Sequence, residues 1–119
     1  MSGPEFQWSV FVVDLDPPVG SEQAGQRSVL VVSREVANAA LPVVTALPLT
    51  SHRKGRRVYP NETLLPAGTA GIDRDSLVMA HQIRSLSKRR LGARLGTVED
   101  QELRAAVRSA VRVQLDLDG

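Results

Sequence analysis

The chain contains no cysteine, so it can hold neither a disulfide framework nor a thiolate metal site. Histidine occurs only at His52 and His81, and neither stands at a ligand spacing from another metal-binding side chain. No metal and no cofactor are therefore expected. Aromatic residues make up 3% of the chain, namely Phe6, Trp8, Phe11 and Tyr59, which is a poor supply for a platform that stacks bases. No apolar run approaches the roughly 20 residues needed to span a bilayer, and no basic segment followed by an apolar one opens the chain. The expectation is a cytoplasmic protein with no membrane partner. Internal repeats and low-complexity segments are also missing. The stretch GSEQAG (20–25) lacks the glycine pattern and lysine of a phosphate-cradling loop, and no nucleophile elbow occurs.

What is present is ordinary in bulk and uneven in detail. A length of 119 residues fits one domain with a modest core. Residues 1–6 are read as a cloning remnant or disordered N-terminus, and 7–119 as a single domain. The formal net charge is +2. Residues 51–94, however, hold ten Lys/Arg against Glu62, Asp73 and Asp75, while the remainder is net acidic. Thirteen of the fifteen basic residues are arginine, whose planar fork pairs with phosphate and stacks on bases. A surface of that kind attracts polyanions such as nucleic acid, and equally serves as a solvated, solubilising loop.

The local pattern is mostly β. WSVFVVDL (8–15) is rich in Val and aromatics and reads as a strand, and Pro17, Pro18 and Gly20 turn 16–27 into a loop. SVLVVS (28–33) is nearly continuous in apolar character, as a central strand would be. Residues 34–41 suit a short helical turn. PVVTALPL (42–49) is a third strand, with Pro48 placing its end at an edge or bulge. TSHRKGRRVYPN (50–61) is a basic loop. Short strands are expected at 62–65 and 76–80, with 82–86 continuing or neighbouring the second, a helical turn at 87–90 and a last strand at 93–96. Thr97 is the expected cap of a terminal helix, with Glu99 and Asp100 in its first turn. Leu103, Ala106, Val107, Ala110, Val111 and Leu115 would form its apolar stripe. Five or six short strands with one terminal helix indicate a mainly β, α+β fold, a small barrel or half-barrel; helices do not alternate with strands, which excludes a doubly wound sheet.

The chemistry-bearing candidates are Arg27, at the end of the first loop, and Thr50, at the end of the third strand, followed by the basic loop. Strand ends commonly carry function. Arg27 could equally pair with Glu22 or Asp14, and Thr50 could cap a turn. His52, directly before Arg53 and Lys54, reads as a member of a basic patch.

VDLDPPVGSEQAGQRSVLVVS (13–33), VVTALPLTS (43–51), YPNETLLP (59–66) and DSLVMAHQIRSLSKRRLG (75–92), together with the helix end, resemble the MazF/PemK family of toxin endoribonucleases from toxin–antitoxin pairs. GSEQAG followed by an arginine and an apolar strand is specific, as is the later QIR. Two departures stand out: Gln7-Trp8-Ser9 replaces a basic-Gly-acidic start, and Ser28 replaces the proline after the arginine. The resemblance implies a homodimer of small SH3-like, CcdB-like barrels cutting single-stranded RNA without a metal. The 2′-hydroxyl would attack the adjacent phosphate, leaving a 2′,3′-cyclic phosphate and a 5′-hydroxyl. It places the catalytic pair on Arg27 and Thr50. Substrate contacts would come from Ser21, Glu22 and Gln23 on the first loop, His52, Arg53, Lys54 and Arg56 on the basic loop, and Gln82. It also implies a MazE-like antitoxin whose acidic segment meets the basic loop. The rival readings are a non-catalytic RNA-binding barrel and a gyrase-inhibiting toxin of the same fold, which would act through its terminal helix.

Overall fold

Alternating apolar residues need a partner surface on one side, and here antiparallel strands supply it. The computed structural model describes residues 5–14 and 26–118. Its strands are β1 (Ser9–Asp14), β2 (Gln26–Val31), β3 (Val43–Ser51), β4 (Glu62–Leu65), β5 (Ser76–Met79), β6 (Arg84–Ser87) and β7 (Leu91–Thr97). The helices are α1 (Glu35–Ala40) and α2 (Gln101–Leu115), with 3₁₀ turns at Thr69–Gly71, Ala80–Gln82 and Lys88–Arg90. The strand order is β4-β5-β3-β2-β1-β7, and β6 pairs with β3. Every pairing is antiparallel. Among the described residues the expected barrel is a sheet that stays open, since β4 and β7 end the order without pairing to each other.

β3 joins the two halves. Its nine residues pair with β2 on one edge, and with β6 and then β5 on the other. Pro48, expected at an edge, is buried in this central strand. It falls in the step between the last β6 pair, at Ala46, and the first β5 pair, at Leu49, where a missing N–H breaks no ladder on that side.

The sheet buries apolar residues on both faces. On one, Val10, Leu30, Leu47, Leu49, Leu65 and Val78 meet Val107 of α2. On the other, Phe11, Val13, Val29, Val31, Val44, Ala46 and Leu86 pack together. Each fully buried Val or Leu contributes roughly 1.5–3 kcal/mol relative to exposure. α2 starts later than its sequence pattern indicated. Thr97 is taken by β7, where it pairs with Ser9, and Asp100 is the cap, accepting from the N–H groups of Glu102 and Leu103. The stripe is also narrower, because Ala106 and Leu115 are exposed while Val107 and Ala110 are buried. Trp8 is held at φ 66°, costly for a bulky side chain, by two 2.7 Å backbone bonds, its N–H to the Val31 carbonyl and its carbonyl from the Val98 N–H. Its buried ring lies under the guanidinium groups of Arg104 and Arg108, 5.3 and 5.0 Å from the centroid.

Candidate active site

Arg27 and Thr50 both lie inside strands, although the sequence placed Arg27 at a loop end. Arg27 stands in β2 opposite Val13, and Thr50 in β3 opposite Leu77. The β2–β3 ladder runs Val31↔Ala46, Leu30↔Leu47, Val29↔Pro48. The same register carried two residues further sets Arg27 level with Thr50. Bonding stops at Val29↔Pro48; beyond it β2 stays with β1 and β3 with β5. The sheet therefore parts there, with the arginine on one lip and the threonine on the other. Side chains alternate along a strand. Arg27 thus shares a face with Val29 and Val31, and Thr50 with Ala46, and this is the face away from α2. Both residues are half-buried, and Arg27 makes no ion pair with Asp14.

Arg84, not singled out in the sequence beyond its place in QIR, stands opposite Ala46 in β6 and so joins that face. The signal for it was the alternation of Arg84 and Leu86, legible only once β6 is known to lie on β3. Gln82 is exposed in the 3₁₀ turn just before it. Ser21, Glu22 and Gln23 lie outside the described residues.

The basic loop has an internal order that its composition did not reveal. Ser51 and Leu65 both pair with Ser76, while Glu62 pairs with Met79 at the other end of β5. The chain must therefore run back along β5 between Ser51 and Glu62. Alternation puts Glu62 on the face of Thr50, since Thr50, Leu77 and Leu64 are aligned and Glu62 is two residues from Leu64. The Glu62 side chain is 2% exposed and takes a bidentate pair from Arg56, both contacts 3.0 Å. It also accepts the Tyr59 N–H at 3.0 Å. The Arg56 guanidinium, with lesser help from Tyr59 and His81, holds the Glu62 carboxyl below its ordinary range against the opposing push of burial. Arg56 is raised in turn by the same bond.

Arg56, expected among the substrate contacts, is thus committed to a carboxylate of its own chain. Arg53 and Lys54 are exposed on a turn closed by the Arg56 N–H on the Arg53 carbonyl, with Gly55 at φ 84°. Half-buried His52 donates its N–H to Asp75 O, and its Nε2 lies 3.0 Å from Arg56 O. Other members of the basic block are also structural: Arg90 donates to Asp14 O, Arg94 to Ser9 Oγ and Glu5 O, and Lys88 to Asn38 O. Among the described residues no group of three or more His, Asp and Glu is placed to hold a metal ion.

The molecule is a small, bent antiparallel sheet with one terminal helix and a cationic face suited to a polyanion. Residues 6–115 match the family described as PemK-like, MazF-like toxin of type II toxin-antitoxin system, and the chain belongs to that family. It is 41% identical over 113 residues to the endoribonuclease MazF9 of Mycobacterium tuberculosis, covering 91% of this chain and 93% of that one. Among solved structures it is similar to MazE-MazF (Form-II) from Deinococcus radiodurans, with a TM-score of 0.74, 29% identity, and 98% and 100% of the two chains covered. An endoribonuclease in complex with its cognate antitoxin from Mycobacterial species shares the fold, with a TM-score of 0.77 at 24% identity over 96% and 97% of the chains.

Proposed function

We propose that this protein is an endoribonuclease toxin that cuts single-stranded RNA at short sequence motifs, without a metal, at the parting of β2 and β3. The observation that carries the reading is the alignment of Arg27 with Thr50 on one face of the sheet. In the reaction the 2′-oxygen loses its proton and bonds to phosphorus, the bond from phosphorus to the 5′-oxygen breaks, and that oxygen takes up a proton. The products are a 2′,3′-cyclic phosphate and a 5′-hydroxyl. DNA, lacking the nucleophile, survives. The Arg27 fork faces the added negative charge on the phosphate oxygens, a service suited to several donors in a fixed plane. Arginine holds its proton too tightly to be a good base. It can still donate a proton toward the basic 5′-oxygen, while Thr50 holds a phosphate oxygen or places the 2′-hydroxyl.

Residues 7–119 act as one toxin domain, paired with a second copy in the cytoplasm and restrained by a MazE-like antitoxin. The antitoxin's acidic segment would cover the basic loop. Support comes from the names of the relatives, an endoribonuclease and a MazE-MazF complex. The test incubates purified protein with a long RNA in EDTA. Wild type is expected to cut, leaving cyclic-phosphate ends, and Arg27→Ala and Thr50→Ala to lose on the order of 10²–10³-fold in rate while staying folded. Full cutting by Arg27→Ala, or none by wild type in EDTA, refutes the assignment.

A further inference from the structure

Of the four aromatic side chains, Trp8 and Phe11 are buried, Phe6 is half-buried against Phe11, and only Tyr59 is open to solvent, at 49%. It sits near the end of the basic loop, three residues before Glu62 at the start of β4. Three features hold it there. Its N–H is bonded to Glu62 Oε1, the same carboxylate is gripped by Arg56, and His52 Nε2 lies against the Arg56 carbonyl. The ring itself lies beside two guanidinium groups, Arg57 at 5.1 Å and Arg56 at 5.9 Å from the centroid. Arg56 is fixed by Glu62, whereas Arg57 is exposed and, among the described residues, makes no ion pair.

We propose that Tyr59 is a stacking platform for a base of the bound RNA, anchored by the Arg56–Glu62 pair and flanked by Arg57 as a phosphate contact. The proposal rests on the reading of this face as an RNA site. Two inter-strand spacings separate β3 from β4, about 10 Å, so a base near Glu62 belongs to a nucleotide next to the one cut at Thr50. Stacking accepts any base, because each offers a π-face. The ring therefore adds hold and alignment, and leaves the choice of sequence to hydrogen-bonding side chains. A strand threading this loop would displace the Arg57 fork from the ring and leave it on the backbone.

The experiment measures binding of a short single-stranded RNA to the full chain at several salt concentrations. An Arg27→Ala background prevents cutting, and wild-type cleavage is assayed alongside. Tyr59→Ala is expected to lose roughly tenfold in affinity with an unchanged salt slope, since no phosphate contact is removed. Tyr59→Phe should bind as wild type does, and Tyr59→Leu should remain weak. Arg57→Ala should instead flatten the slope. Equal affinity for Tyr59→Ala, or full recovery with leucine, overturns the stacking platform while wild-type cutting keeps the ribonuclease reading intact. A wild type that neither binds nor cuts RNA overturns both.

Discussion

Arginine residues in this chain share one chemistry and are divided by what surrounds them. Arg56 is held by Glu62, Arg90 by the Asp14 carbonyl, Arg94 by Ser9 and Glu5, and Arg104 by the Val98 carbonyl. The basic block that marked residues 51–94 therefore overstates the charge available to a polyanion. Within that block Arg53, Lys54, Arg57 and Arg84 remain exposed near the candidate site, joined by half-buried Arg27 from β2. Glu62 is the pivot of this division, and its titration gives a prediction. Its folded pKa lies below the ordinary value of 4.5, so its stabilising contribution is complete above about 4.5 and is lost as pH falls through the lower, folded pKa. Glu62→Gln removes that dependence. Melting temperatures of the two proteins should differ most at neutral pH, wild type higher, and converge in acid. A constant difference across that range would show that the Arg56 pair does not set the order of the loop. Glu35 moves in the same direction: burial pushes it up, and the N–H groups of Gln7, Glu5 and Phe6, with Asn38, more than offset this.

The elements were legible where periodicity decided them, and were misplaced where a partner did. β1, β2 and β3 follow from runs of Val, Leu and Phe, and α2 from its three- and four-residue spacing. The start of α2 was not legible, because Thr97 and Asp100 are both good caps. Pairing with β1 withdraws Thr97, whose hydroxyl also lies 3.3 Å from Ser9 Oγ, and leaves the role to Asp100. Asp100→Ala should cost about 1 kcal/mol by chemical denaturation, and Thr97→Ala should leave the helix start unaffected. A larger loss of helical signal in Thr97→Ala would reverse that assignment. Glycine marks another contact between elements. A Cβ on Gly96 would come within 2.6 Å of the Ala70 backbone, so the Thr69–Gly71 turn and β7 lie backbone to backbone.

At the scale of the whole molecule, the sheet's parting turns two ordinary strand residues into neighbours, and α2 closes the opposite face. No helix among the described residues is long and apolar enough to cross a membrane. The end of α2 exposes Val113 and Leu115, with Leu117 just beyond, an apolar patch consistent with a partner surface. Solution mass measurement should give twice the chain mass, and replacing Leu115 and Leu117 with lysine should shift it toward one. A strictly single chain in the wild type would rule out the dimer.

The sequence by itself determined the periods of the strands and helix, the arginine-rich middle and the lack of thiols, because these depend only on residue type and spacing. It also carried the motifs by which the family is recognised. Tertiary structure decided the rest: that Arg27 is level with Thr50, that Arg56 is taken by Glu62, and that Tyr59 alone of the aromatic rings faces solvent. The first is an alignment of residues distant along the chain, and the other two follow from the loop running back along β5 to meet Glu62. Alternation says which side chains share a face, but only the register of a ladder says which strand lies opposite.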